Sequence, residues 1–110
     1  MKTITINYEG KKYTLEYTRE AIKQFESMGY SLNDLGQKLY TIRIPLIYCG
    51  LKANHAAITM KKAEDIYNSL NRRDKFMEML VDMIVDTYTV LTGENAEGNS
   101  DWEANWSDEK

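Results

Sequence analysis

Polar and apolar residues alternate over positions 3–8, where Ile4, Ile6 and Tyr8 share one face and Thr5 and Asn7 the other. The alternation returns over 13–17, with Tyr13, Leu15 and Tyr17 together. A period of two predicts a strand in each stretch. Between them, Glu9-Gly10-Lys11-Lys12 holds the glycine a tight turn wants. A two-residue loop at Glu9-Gly10 pairs Ile6 with Tyr13 and Ile4 with Leu15; a four-residue loop pairs Tyr8 with Tyr13 and Ile6 with Leu15. Both keep the apolar side chains on one face, whereas a three-residue loop does not. The result is a β-hairpin with one apolar face, which must pack on something because an isolated hairpin is marginal in water.

After the hairpin the period changes to that of a helix. Thr18 is placed to cap a short helix over 19–28, with Ile22 and Phe25 inward and Gly29 ending it. Ser31-Leu32-Asn33-Asp34 has the form of a capping box and predicts a further helical turn to about Lys38. Thr41 is expected to cap a helix over 42–54, with Pro45 early enough to cost no hydrogen bond. That segment is apolar nearly all round, which marks it as the central core helix; Gly50 within it signals a close approach by a neighbour. Thr59 caps a helix over 60–70, and the last helix runs from about Asp74 to Leu91, closed by Thr92-Gly93. The fold class is α+β and mostly helical: a two-stranded N-terminal hairpin on four to five helices.

Charge divides the chain in two. Residues 1–93 carry 13 Lys/Arg against 11 Asp/Glu, a net of +2, while 94–110 carry six acids and Lys110, a net of -5. The last segment holds no Ile, Leu, Val, Phe or Met, so it cannot bury enough surface to offset the entropy of ordering. It is expected to be a disordered acidic tail on a single folded domain over 1–93, either merely solvated or docking through Trp102 and Trp106. With 110 residues there is room for one domain. One Cys and one His exclude a disulfide framework and a Cys/His zinc site, and no cofactor or metal is expected. No apolar run approaches the ~20 residues of a membrane span, and no signal-peptide core opens the sequence. These features describe a soluble cytosolic domain.

No catalytic motif is present: no phosphate-cradling glycine run, no nucleophile elbow, no zinc-protease helix. Cys49 and His55, six positions apart, would diverge by roughly 120° on one helix. Cys49 is read as a core residue and His55 as a helix-end residue suited to the negative dipole. Glu78, Asp82 and Asp86 recur every fourth residue, as a solvated helix stripe does. An enzyme is therefore not expected. The basic pairs Lys61-Lys62 and Arg72-Arg73 bracket a helix whose outward face also shows Glu64 and Asp65, which argues against nucleic acid.

Protein binding remains. The last helix has a main stripe of Phe76, Leu80, Met83, Ile84, Tyr88 and Leu91. Met77, Met79, Val81, Val85 and Val90 spill beyond it, more apolar surface than one contact layer satisfies. These five are the expected partner surface, with Trp102 and Trp106 as accessory anchors. The sheet edges of the hairpin offer a weaker route to homo-oligomers.

The run Tyr13-Thr14-Leu15-Glu16-Tyr17-Thr18-Arg19-Glu20-Ala21-Ile22-Lys23, then Phe25-Glu26 and Met28-Gly29-Tyr30, resembles the small tail-assembly chaperones of long-tailed phages and prophages of Gram-positive bacteria. The resemblance continues through Leu46-Ile47-Tyr48-Cys49-Gly50-Leu51-Lys52, the Thr59-initiated helix, the long last helix and the acidic end. Asn54-His55-Ala56 departs from it, where a more basic, Pro-terminated helix exit is expected. The resemblance implies a non-enzymatic protein that coats the apolar, helical tape-measure protein in many copies during tail assembly. It also implies action in the host bacterial cytoplasm and absence from the mature virion, with the tail-tube protein as a further partner of the acidic tail. A competing reading is a small acidic inhibitor or antitoxin-like module whose tail fills a basic groove on its target.

Overall fold

The structure, a computed structural model, describes residues 2–92 and the backbone of 103–107. It is an α+β fold. Strands β1 (Thr3–Tyr8) and β2 (Lys11–Leu15) are followed by helices α1 (Arg19–Ser27), α2 (Asp34–Gln37), α3 (Leu39–Lys52), α4 (Met60–Ser69) and α5 (Arg73–Thr92). A third strand, β3 (Glu103–Ser107), completes a sheet of order β2-β1-β3.

The hairpin takes the two-residue loop. Ile6 pairs with Tyr13 and Ile4 with Leu15, antiparallel, and Glu9 and Gly10 both have positive φ, 52° and 79°. Both central residues of a type I′ turn need that sign, and its twist matches the strands it joins. Ile4, Ile6, Tyr13 and Leu15 are buried on one face. β2 ends at Leu15, short of the expected residue 17, because the chain turns there toward α3. The Glu16 N–H donates to the Gly50 carbonyl at 3.0 Å, and the Tyr17 hydroxyl to the Leu46 carbonyl at 2.7 Å.

α3 is the centre of the domain, with α1, α2, α4 and β2 packed around it. Ile42, Leu46, Ile47, Cys49 and Leu51 are fully buried. Gly50 lies against Tyr17 so closely that an added Cβ would sit 2.9 Å from its Cζ. The helix begins at Leu39, three residues before the expected start, so Thr41 lies inside it and is not its cap. Pro45 then forfeits one backbone bond to Thr41, a loss outweighed by burial of Ile42, Leu46 and Ile47 on either side. The caps at Thr18 and Thr59 are as expected, each hydroxyl accepting from an N–H three residues on.

β3 corrects the expectation of a wholly disordered tail. Residues 103–107 run parallel to β1, with Ala104 in register with Ile4 and Trp106 with Ile6. The other residues expected in the tail, 94–102 and 108–110, lie outside the described residues. The expectation of open hairpin edges is corrected on the β1 side, and the β2 edge is partly engaged. β1 is occupied on its second side by β3, and two outward N–H groups of the β2 segment are taken, Glu16 by Gly50 and Thr14 by His55 Nε2 at 3.0 Å.

Candidate functional site

The five α5 residues expected to form one partner surface do not form one face. Successive residues turn by about 100°, so Met77 falls roughly 60° from Leu80 and 20° from Ile84, within the buried stripe. It is 7% exposed and part of the core. Met79 packs half-buried against that core. Val81 is half-buried as well, while Val85 and Val90 are 40% and 47% exposed. Those last two point roughly 140° apart, on opposite flanks of the stripe. Trp102 lies outside the described residues, and of Trp106 only the backbone position in β3 is described.

One flank meets a groove. α5 is long enough that its last turns pass beyond the buried stripe, and they pack beside α1. Tyr88 donates its hydroxyl to Glu26 at 3.0 Å; burial, together with that carboxylate, pushes the phenol up to about 12. Around this bond lies an open groove of about 290 Å³ with Ile22, Tyr88 and Leu91 in its floor and Arg19, Lys23 and Glu26 on its rim. Leu91 is 39% exposed, and Val85, one turn before Tyr88, carries the apolar strip along the helix. Sequence periodicity assigned Tyr88 and Leu91 to the core stripe, and α1 gave no sign of contributing. The available signal was length: α5 has 20 residues against 9 in α1, so one stripe could not be covered to its end.

The opposite flank is tied down. Lys2 Nζ bridges to Asp82 at 2.9 Å and approaches Asp86 at 4.0 Å, joining the start of β1 to α5. Thr87 donates its hydroxyl to the Tyr17 carbonyl at 2.9 Å. Two members of the acidic stripe thus serve as partners of a lysine, and Asp65 serves Lys61 likewise at 2.7 Å.

Cys49 is buried, with Sγ 3.7 Å from Met28 Sδ; burial pushes its thiol up to about 12, so it stays protonated and fills space. His55 does not act as a charge at a helix end. Its Nε2 accepts the Thr14 N–H and its ring lies 5.2 Å from that of Tyr13. Burial and the nearby Lys11 hold it below the ordinary histidine range, in keeping with an unprotonated Nε2 that accepts the Thr14 N–H. Among the described residues, no group of three or more His, Cys, Asp or Glu is placed to hold a metal ion. No helix among them is long and apolar enough to cross a membrane.

The chain belongs to a family described as a domain of unknown function, DUF5055, whose model matches residues 1–106 and so reaches into β3. No curated protein and no solved structure matches it.

Proposed function

We propose that this member of the family is a non-enzymatic tail-assembly chaperone that binds the tape-measure protein of a long-tailed phage or prophage. The observation that carries the reading is the α1–α5 groove with the apolar strip leading into it. Val85 and Leu91 are large apolar side chains left in water on a helix whose other flank is fixed by ion pairs. An amphipathic helix laid along α5 would cover Val85, Tyr88 and Leu91 with apolar residues one turn apart. Arg19 and Lys23 on the rim would meet acidic residues of that helix. A shallow, forgiving site suits a partner that presents a long succession of similar helical segments to many copies of one small protein. In this reading the protein acts in the host cytoplasm and leaves before the virion is complete.

The inhibitor reading needs the acidic end as its binding element. The pairing of residues 103–107 with β1 favours it less, since that stretch is engaged within its own sheet. Neutralising the acids outside β3 (Glu94, Glu97 and Asp101, with Asp108 and Glu109) leaves the strand's sequence intact and separates the two: binding retained supports the chaperone, and binding lost supports the inhibitor.

The decisive experiment is co-expression with the tape-measure protein of the same genome, followed by affinity capture and light scattering on a sizing column. Many copies should co-elute and keep the tape-measure protein soluble. Val85→Glu and Leu91→Glu should each weaken the association on the order of tenfold or more, with unfolding free energy changed by no more than about 0.5 kcal/mol. A tape-measure protein that precipitates while this chain elutes alone would overturn the proposal.

A further inference from the structure

We propose that the N-terminal end of α5 carries a second docking site, built from Tyr40, Arg43, Tyr67 and Arg73, and that its occupant is an acidic segment of a protein partner. The inference is independent of the chaperone reading: Arg73 and Leu91 are separated by about 27 Å along the helix. Three helices supply the site. Tyr40 and Arg43 lie in the first turns of α3, Tyr67 in the last turn of α4, and Arg73 opens α5. Residues spaced by three share a helix face, and Arg43 folds over Tyr40 with its Cζ 3.9 Å from the ring centre. The same guanidinium is 5.3 Å from the centre of the Tyr67 ring, and Arg73 Cζ is 5.8 Å from it. Two cations share one ring, so an anion placed beside it would meet both.

The hydrogen bonds of Arg43 define what it has left to offer. Nη1 donates to the Tyr40 carbonyl at 2.7 Å, while Nε is enclosed with no acceptor. A buried donor without a partner is a cost, so the rings rather than hydrogen bonds hold the guanidinium in place. Stacking uses its faces and leaves the in-plane donors of Nη2, with the second hydrogen of Nη1, for a carboxylate. Among the described residues no carboxylate pairs with Arg43 or Arg73, although Glu64 and Asp74 lie in α4 and α5. Tyr40 is 76% exposed, the most of any large hydrophobic side chain among the described residues. Tyrosine and arginine already held in place lose little freedom on binding, and these two types dominate interface energies. Charge complementarity selects an acid. A nucleic-acid backbone needs a continuous positive track, which Glu64 and Asp74 interrupt; a short acidic segment needs one fork and an aromatic wall. The net charge of +2 over residues 1–93 agrees.

The test is NMR titration of the full chain with a blocked hexaglutamate peptide, following arginine side-chain N–H and tyrosine ring signals. Saturable shifts at Arg43, Arg73 and Tyr40 are expected, and they should weaken as salt is raised. Arg43→Lys keeps the charge but loses the planar fork, and should weaken binding on the order of fivefold. Arg73→Gln and Tyr40→Ala, at exposed positions, should each weaken it about threefold or more, and they keep the test open if the Arg43 variant disturbs packing. Lys12→Gln, an exposed lysine on the hairpin, should leave the affinity unchanged. No saturable shift, or a loss in Lys12→Gln as large as in the other three, would overturn the proposal. Tighter binding of oligothymidylate at the same signals would also overturn it, by assigning the site to nucleic acid. Shifts of these signals on diluting the protein alone, with none added by the peptide, would give the site to a second copy and reject a foreign segment.

Discussion

α3 and α5 are both rich in apolar residues on more than one side, yet they play opposite parts. α3 is surrounded: α1, α2, α4 and β2 pack on it, and its exit is bound to the sheet through Gly50 and, just beyond, His55. α5 is longer, buries Phe76, Leu80, Met83 and Ile84, and then leaves Val85, Val90 and Leu91 exposed. Apolar content alone therefore does not distinguish a helix buried all round from one left partly exposed. What distinguishes them is whether other elements reach around the whole circumference and along the whole length.

The contrast breaks most sharply under truncation to alanine. Leu46→Ala in α3 should cost about 3 kcal/mol, within the usual range for a fully buried leucine, whereas Val85→Ala should stay within about 0.5 kcal/mol of the parent. Urea unfolding of the two variants measures both; similar losses would mean that α5 is core throughout.

Gly50→Ala tests the closeness of the surroundings of α3. Alanine gains about 1 kcal/mol of helix propensity, but its Cβ would meet Tyr17 Cζ at 2.9 Å and Leu15 Cδ2 at 3.0 Å. Tyr17 cannot yield cheaply, since its hydroxyl is held by Leu46. Overpacking of about 1–3 kcal/mol should win, lowering the melting temperature. At Gly36, where nothing lies within 4 Å, the same change should be neutral or stabilising.

The smallest effect concerns the exit of α3. His55 has its protonation constant lowered in the folded state, so below about pH 6.5 the unfolded chain takes up the proton first. Stability should be flat above that pH and decline as pH falls through it, until the folded imidazole protonates as well. Thermal unfolding between pH 7.5 and 5 should show this slope in the parent and a shallower one in His55→Ala.

Local chemistry made much of this legible. Glu9-Gly10 and the parity of the flanking apolar residues defined the hairpin, and Thr18 and Thr59 announced their helices through side chains that act within three residues. Gly50 announced a neighbour without naming it as Tyr17. What was not legible depends on distant partners. The start of α3 before Thr41 follows from burial on both sides of Pro45, which overrides a local cap signal. β3 pairs across some hundred positions of sequence, and its composition reads as unstructured because the surface that receives it belongs to β1. The split of the α5 surface is readable from helical angle, but which flank would be filled depended on Lys2 and α1.

The sheet joins the two extremes of this sequence, which has a consequence in time. β1 is made before β3, which leaves the ribosome only after some 95 further residues, roughly 5–20 s later at ordinary synthesis rates. Throughout that interval Thr3–Tyr8, β-branched or aromatic at every position but Asn7 and without charge or proline, has one edge without its eventual neighbour. Nascent chains on a crowded polysome share that exposure, and edges of this kind pair with one another. The yield of folded protein should therefore be decided during translation more than by the stability of the finished domain.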